Sequence, residues 1–454
     1  MTSQPLVQYA SRTDVGMRRA GNQDSLATRL CLEQNEWEVC GHLFAVADGM
    51  GGHSVGDLAS RIAADALPQA YHKCDADSIP ERLSQAIVAA NQAIHDKARE
   101  NPEFADMGTT CSALVLSPQG AYTGNVGDSR VYRVRDHEIE QLTFDHSLQW
   151  EMIRQGRATM DTVDGLHPRN VITRCLGPDP AVDVDVEGPF PITSGDRFVI
   201  CSDGLTGHVT DEEIGAITSD LKPQQASRLL VDLANCRGGA DNVTVIVVHV
   251  ENMAQSMEAT PAQIAQISAT PKSKAARRRY WRALLSQLSL WLFLVMALVG
   301  LAALVFKQIT VGLGLICPAV LIGFLRFMML TGTSTAEEDV GDPKSKSKMR
   351  RTAVQESNRL AATSPYRKTT ATLTDPLLEF LAAAQSELTQ AARDNGWKSD
   401  FSALEDLDRR AVAAKRADQL AECLSLRAKS VDALMKELYA VSYTHLTLPT
   451  ILLV

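Results

Sequence analysis

The nine cysteines of this sequence are scattered, and no two of them form a C-x-x-C pair. Their odd number and their spacing argue against a disulfide scaffold and a cysteine-type zinc site, and favour a reducing compartment. Basic residues are scarce in the first 250 positions, which carry 20 Lys and Arg against 35 Asp and Glu. This deficit argues against nucleic acid as a ligand and suits a site built from carboxylates.

Residues 1–20 lack the apolar core of a signal peptide, so no secretory signal is predicted there. Two uncharged runs lie in the middle of the chain, 19 residues at 288–306 and 17 residues at 309–325. Each is close to the roughly 20 residues that cross about 30 Å of hydrocarbon. Lys and Arg cluster before and after the pair, which predicts a two-span hairpin in the lipid bilayer with both ends in the cytoplasm. The alternative is a buried hairpin of a soluble domain.

Changes of composition along the chain predict its domain organisation. The predicted segments are a globular domain at 1–250, a basic linker at 251–282, two transmembrane helices at 283–330, a flexible linker at 331–374, a helical tail at 375–440 and an artefact at 441–454. In the tail, Leu424, Val431 and Leu438 recur at seven-residue steps, which indicates one apolar helix face. The last segment resembles a translated sequencing adapter, so we expect the natural chain to continue past Ala440.

Aspartates lie at the ends of predicted buried strands in the first domain. Four of them, each next to a glycine or an asparagine, are Asp48, Asp128, Asp203 and Asp241. A strand holds each carboxylate at a fixed point, and glycine lets backbone and ligand approach closely. Taken singly, an Asp before Gly usually indicates only a turn. Four together, without His or Cys, predict a site for Mg²⁺ or Mn²⁺ in preference to Zn²⁺.

Seven motifs, in order, resemble the type 2C metal-dependent Ser/Thr protein phosphatases, the PPM family, in its bacterial branch. They are GMRRAGNQD at 16–24, FAVADGMGGH at 44–53, MGTT at 107–110, NVGDSRVY at 125–132, LTFDHS at 142–147, SDGLT at 202–206 and GGADNVT at 238–244. The resemblance covers roughly residues 8–250. It implies an α+β fold, a four-layer α-β-β-α sandwich with a metal cluster at one end.

The resemblance also implies a site of two or three Mn²⁺ or Mg²⁺ ions. Asp48 would bridge two ions, Asp203 and Asp241 would complete the first, and the Gly49 carbonyl would help to hold the second. Asp128, together with Asp203, would bind the third ion. A water activated by these ions would attack the phosphorus of the substrate without a covalent enzyme intermediate.

Arg19 occupies the position of the family's phosphate-binding arginine, and a guanidinium can bind two phosphate oxygens at once. The sequence departs from the family pattern at two positions. Gln23 stands where many members have Glu, which implies weaker binding of the second ion, directly or through water beside Asp24. Met50 replaces the histidine proposed as general acid in animal-type enzymes, so the leaving oxygen would be protonated by another group. His146 is left out of the catalytic set, with a packing role as the simpler interpretation.

These features predict a membrane-anchored phosphatase that hydrolyses phosphoserine and phosphothreonine on proteins and opposes a bacterial Ser/Thr kinase pathway. The expected partners are phosphoproteins, the lipid bilayer and an unidentified partner of the helical tail, and not nucleic acid. The alternative is a membrane-anchored adaptor that binds phosphoproteins without turnover. A degenerate binder is expected to have lost some of the metal-binding aspartates or Arg19, whereas all are present here.

Overall fold

The computed structural model describes residues 6–51, 55–158, 171–252 and 367–442. The two apolar runs, almost all of both predicted linkers and residues 443–454 lie outside these ranges. All the described residues belong to one compact unit, in which the first domain and the C-terminal residues are packed together.

The predicted membrane location must be corrected. No helix within the described ranges is both long enough and apolar enough to cross a bilayer. The runs at 288–306 and 309–325, on which the prediction rested, lie outside those ranges. The two-span hairpin is therefore not supported.

The strands form two antiparallel sheets. In chain order, the strands of the described residues are β1 (Leu6–Asp14), β2 (Asp24–Arg29), β3 (His42–Met50), β4 (Gly108–Thr109), β5 (Cys111–Ser117), β6 (Gly120–Val126), β7 (Arg130–Arg135), β8 (Glu138–Gln141), β9 (Asp185–Phe190), β10 (Arg197–Cys201), β11 (Val243–Asn252) and β12 (Lys368–Thr370). One sheet has the order β1-β11-β10-β7-β8-β12. The other has the order β2-β3-β5-β6-β9, with β4 paired to β3.

The helices cover the outer faces of the sheets. Within the described residues they are, in chain order, α1 (Gln34–Cys40), α2 (Val55–Lys73), α3 (Ile79–Glu100), α4 (Leu148–Arg154), α5 (Asp203–Thr206), α6 (Asp211–Asp220), α7 (Pro223–Cys236), α8 (Asp375–Asp394), α9 (Phe401–Arg416) and α10 (Leu420–Ser442), with a 3₁₀ turn at Pro102–Phe104. The α2 and α3 helices pack on the β2–β9 sheet, and α6 and α7 pack on the β1–β12 sheet.

Side-chain alternation along the strands explains the layers. In β10, Phe198 and Ile200 join the apolar cluster between the two sheets, whereas Val199 and Cys201 join the cluster under the helices on the opposite face. A strand buried on both faces is apolar at every position, as this one is after Arg197. The resulting α-β-β-α order confirms the predicted α+β sandwich.

The C-terminal residues extend this sandwich. The β12 strand pairs with β8 at the edge of its sheet, and α10 packs against α7. Ala371 is fully buried, and a Cβ added to Gly215 on α6 would lie 2.4 Å from the Ala371 Cβ. Glycine at 215 therefore allows the C-terminal chain to approach closely. Residues 367–442 share one apolar cluster with α6 and α7.

Candidate active site

Four aspartates from separate elements lie at one end of the sandwich. Asp24 and Asp48 are directly paired across β2 and β3. Asp203 begins α5 immediately after β10, and Asp128 lies in the turn between β6 and β7. The side chain of Asp203 is close enough to Asp48 to raise the pKa of the Asp48 carboxyl group. The structure thus brings together the carboxylates that the motifs predicted for metal binding, including Asp24.

Burial and mutual repulsion make these carboxyl groups weak acids. Burial, with a smaller effect from the charges of Asp203 and Asp241, raises the pKa of Asp24 to about 7. Burial and the neighbouring Asp203 raise the pKa of Asp128 to about 8. The pKa of Asp48 is well above its ordinary value, mainly through burial and then through the charges of Asp24, Asp203 and Asp128. Repulsion between these carboxylates is strong because the buried region has a low dielectric constant.

The cluster also contains carboxylate oxygens without partners. The Oδ1 atoms of Asp24, Asp128 and Asp203 are buried and accept no hydrogen bond from the described residues. As they stand, no three acidic, histidine or cysteine side chains in those ranges are arranged so that they could hold a metal ion. Buried oxygens without donors nevertheless fit a hard divalent cation, which would satisfy them and offset their repulsion. The donor set therefore fits Mg²⁺ or Mn²⁺.

Two buried hydroxyl groups form hydrogen bonds with residues of the cluster. Ser202 Oγ donates to Asp24 Oδ2 at 2.8 Å, and the Asp48 N–H donates to Thr110 Oγ1 at 2.9 Å. Both hydroxyl-bearing residues are buried. These bonds hold one oxygen of Asp24 and the backbone of Asp48 in place, and leave other carboxylate oxygens available to a ligand.

Arg19 reaches the same end of the sandwich. Its Nη2 lies 2.7 Å from Asp241 Oδ2, and its side chain is 48% exposed. The loop that carries it is anchored beside Asp241, because the Met17 N–H donates to the Gly239 carbonyl at 2.8 Å. Gly16 has φ +77°, and a Cβ at this position would lie 2.2 Å from the Asp241 carbonyl oxygen, so only glycine fits there.

Gln23 and Gly49 are linked through their backbones. The Gly49 N–H donates to the Gln23 carbonyl at 3.1 Å, and the Gln23 N–H donates to Asn242 Oδ1 at 2.9 Å. A Cβ on Gly49 would lie 2.1 Å from the Gly56 carbonyl oxygen, which explains the glycine. Both predicted residues therefore border the carboxylate cluster.

Asn242 is a supporting residue that the sequence reasoning missed. Its Nδ2 donates to the carbonyls of Val15 and Gly21 at 2.9 and 3.0 Å, and its Oδ1 accepts from Gln23. It thus ties the loop that carries Arg19 to the strand end that carries Asp241. The only local signal was the Asp-Asn pair just before β11.

His146 supports the turn that carries Asp128. Its Nδ1 accepts from the Gly127 N–H at 2.9 Å, and its Nε2 lies 2.9 Å from Asp185 Oδ2. It is buried, and both ring nitrogens have protein partners. In this arrangement His146 positions the backbone beside Asp128 and has no nitrogen left for the reacting phosphate.

A second missed feature is a buried ion pair beside the cluster. Arg130 contacts Asp145 through Nε at 2.9 Å and through Nη2 at 2.6 Å, and Tyr132 Oη donates to Asp211 at 2.9 Å. The charge of Asp145 raises the pKa of Arg130 well above its ordinary value, against the effect of burial. Arg130 is therefore permanently charged, but it is bound to a carboxylate of its own.

The amino-acid sequence is similar to a known protein family and to individual members of it. The family model "Protein phosphatase 2C" matches residues 17–233. The phosphatase PhpP of Streptococcus pneumoniae is 33% identical over 240 residues, which are 52% of this chain and 94% of PhpP. The chain belongs to the protein phosphatase 2C family. The resemblance inferred from the motifs, to a family of protein phosphatases, is confirmed.

Other members of the family match the same part of the chain. The Ser/Thr phosphatase Stp of Listeria monocytogenes is 34% identical over 243 residues, 52% of this chain and 93% of Stp. PstP of Mycobacterium tuberculosis is 32% identical over 248 residues, which are 54% of this chain and 45% of PstP. Among solved structures, MsPP of Mycobacterium smegmatis aligns with a TM-score of 0.48 at 34% identity, over 55% of this chain and all of MsPP. The catalytic domain of PstP, solved with two manganese ions, aligns at 0.46 and 31% identity, over 54% of this chain and 99% of that domain.

Proposed function

We propose that this chain hydrolyses phosphoserine and phosphothreonine on proteins, using two or three Mn²⁺ or Mg²⁺ ions. Family membership supports the reaction class, since relatives such as PhpP and Stp are named as phosphatases. The observation that carries the proposal is the cluster of buried aspartates with unpartnered oxygens beside Arg19. In vivo, such an enzyme would oppose a Ser/Thr kinase.

The aspartates of the cluster would hold the metal ions. Asp48, Asp203 and Asp241 would hold the first pair of ions with the Gly49 carbonyl, and Asp128 would contribute to a third. When bound, the ions would supply a nucleophile at neutral pH by lowering the pKa of water, and would offset charge on the phosphoryl group.

Arg19 would bind the phosphoryl oxygens of the substrate. It contacts Asp241 at 2.7 Å, and a cation on Asp241 would weaken that contact and release the guanidinium for substrate. Two parallel N–H···O bonds would then orient the phosphoryl group for in-line attack.

The alternative function is a phosphoprotein-binding adaptor without turnover. The adaptor and the enzyme differ in one measurable respect. An adaptor would bind a phosphopeptide and release no phosphate from it. The presence of the aspartate cluster and Arg19 favours the enzyme.

The direct test is phosphate release from a phosphothreonine peptide by the full chain, with Mn²⁺ or with EDTA. We expect release to need the metal and to fall by about a thousandfold or more in Asp48→Asn, because that change removes a shared ligand. Asp220→Asn is the matched control, since it removes a carboxylate on α6 whose pKa is raised by burial. Asp48→Asn with near-normal turnover, or release that EDTA does not affect, would refute the proposal. Phosphopeptide binding without release would establish the adaptor.

A further inference from the structure

The C-terminal residues and the aspartate cluster line one cavity. It has a volume of about 630 Å³. Asp128 and Asp203 line it, and so do Arg367, Lys368 and Thr369, which lie on or next to β12. This volume is in the range of cavities that bind ligands larger than a single phosphate. A segment far away in sequence therefore forms part of the surface next to the proposed reaction centre.

The wall made by residues 367–369 is held by its own bonds. The Gln141 N–H donates to the Arg367 carbonyl at 2.9 Å, and Thr369 Oγ1 donates to Glu212 Oε1 at 3.0 Å. The Arg367 guanidinium carbon lies 4.8 Å from the centre of the Trp150 ring, a cation–π contact. Both backbone pairing and side-chain contacts thus fix this wall, which is what a specific binding surface requires.

The cavity lining mixes apolar side chains, among them Trp150, Ile153 and Val209, with polar groups and charges of both signs. Hydroxyl and amide groups are contributed by Ser147, Gln149 and Thr210, and carboxylates and cations lie among them. Such a lining offers hydrogen-bond donors and acceptors to the backbone of a peptide and apolar contacts to its side chains. A phosphoprotein whose phosphoryl group lies at the aspartate cluster must continue across the adjoining surface, and this cavity adjoins it.

We propose that the cavity binds the substrate polypeptide on one side of the phosphorylated residue, and that Arg367 and Lys368 are specificity-determining residues of that subsite. The inference rests on the proposed phosphatase function. It gives the C-terminal residues a direct part in substrate selection, in addition to their packing on α7.

The test compares substrates of different size on the full, Mn²⁺-loaded chain. The substrates are an 11-residue phosphothreonine peptide, the same peptide shortened from either end, and p-nitrophenyl phosphate. We expect Arg367→Ala to raise KM for the long peptide roughly tenfold more than KM for p-nitrophenyl phosphate. Shortening the peptide from one end should weaken binding to the wild type, and should cost little more in Arg367→Ala, because both changes remove the same contact.

Arg393→Ala is the matched control. Arg393 also lies in the C-terminal region and also stacks on an aromatic ring, 5.1 Å from the centre of Phe401, but it does not line the cavity. It should change neither KM. Lys368→Ala provides a second variant if thermal unfolding shows that Arg367→Ala does not fold.

The outcomes separate the two proposals. If both KM values change equally in the cavity variants, or if neither changes, the subsite is refuted while the phosphatase activity stands. If the wild type releases phosphate from no substrate, the proposed function fails. Fluorescence anisotropy with a labelled phosphopeptide then decides the subsite by itself, since Arg367→Ala should weaken binding and Arg393→Ala should not. Equal binding by the wild type and Arg367→Ala would overturn it.

Discussion

Two groups of buried carboxylates in this chain differ in the cations that the protein provides for them. In the first, burial raises the pKa of Asp24, Asp48, Asp128 and Asp203, and the charge of Asp203 raises it further in the other three. Three of the oxygens in this group accept no hydrogen bond from the described residues. The nearby Arg130 is held by Asp145, and Arg19 contacts only the edge of the group through Asp241.

The second group lies between α7 and α10. Asp232 is fully buried, and neither of its carboxylate oxygens accepts a hydrogen bond from the described residues, as in the first group. A cation is nevertheless close, because Arg12 Nη2 lies 3.7 Å from Asp232 Oδ1. Asp432 on α10 is 2.6 Å from the Lys436 ammonium and 3.3 Å from Arg228. Here the protein brings its own cations to carboxylates that join two helices. The comparison suggests that the first group is left without such cations because metal ions would supply the charge.

The largest expected effect tests the first group directly. Saturating Mn²⁺, at roughly 100–1,000 times its Kd, should raise the free energy of unfolding of the wild type by about 3–4 kcal/mol over its value in EDTA. Asp48→Asn should lose most of this gain, because it removes a ligand. Asp232→Asn is the control and should keep it. Denaturant unfolding with and without Mn²⁺ measures the difference. An equal gain in Asp48→Asn would show that Asp48 does not bind the stabilising Mn²⁺, contrary to the prediction.

The pH dependence of the free energy of unfolding tests the second group of carboxylates. Burial raises the pKa of Asp232 to about 7, against the lowering effect of Arg12 and with a smaller raising effect from Asp432 and Asp14. A carboxyl group whose pKa is higher in the folded state stabilises the fold at low pH, and that contribution is lost as the pH rises from about 4 through about 7.

Replacement of Asp232 by Asn removes this titration. Relative to wild type, the free energy of unfolding of Asp232→Asn should therefore increase by about 2–3 kcal/mol between pH 5 and pH 8. The comparison is made by denaturant unfolding in EDTA at both pH values. Asp75→Asn, at an exposed position, is the control. A constant difference between Asp232→Asn and wild type across this range would contradict the assignment.

Arg19 is the cation at the edge of the first group, and its removal tests what that cation does. Arg19→Ala should raise KM for phosphopeptide about tenfold and change kcat less, because the lost contact is to the bound phosphoryl group. Arg18→Ala, at the adjacent exposed position, should leave KM within about twofold. Steady-state kinetics with Mn²⁺ measures both. An unchanged KM in Arg19→Ala would reject its role in phosphate binding.

The two groups also differ in how far the sequence alone could predict them. Asp48, Asp128, Asp203 and Asp241 stand in short motifs at strand ends, where local sequence and the family resemblance are both informative. The pairing of β12 with β8, and the bonds between α7 and α10, join residues far apart in sequence. The stripe that includes Leu424 and Leu438 predicted a buried helix face, but a periodic pattern does not identify the surface that covers it. Arg130 and Asp145 stand in two of the family motifs, but neither motif by itself shows that the two side chains form an ion pair.

The smallest expected effect concerns a hydrogen bond beside the second group. Asn235 Nδ2 donates to Tyr439 Oη on α10 at 2.6 Å and to Asp14 Oδ1 at 3.0 Å, and the Gly16 N–H donates to the same Asp14 oxygen. Tyr439→Phe removes the hydrogen bond from Asn235 and should lower the free energy of unfolding by about 1 kcal/mol. Tyr71→Phe, which removes the bond to the Cys40 carbonyl in the other half of the sandwich, is the matched control. Only Tyr439→Phe should speed hydrogen exchange in residues 420–442. Equal exchange in the two variants would show that this bond does not help to hold α10 on α7.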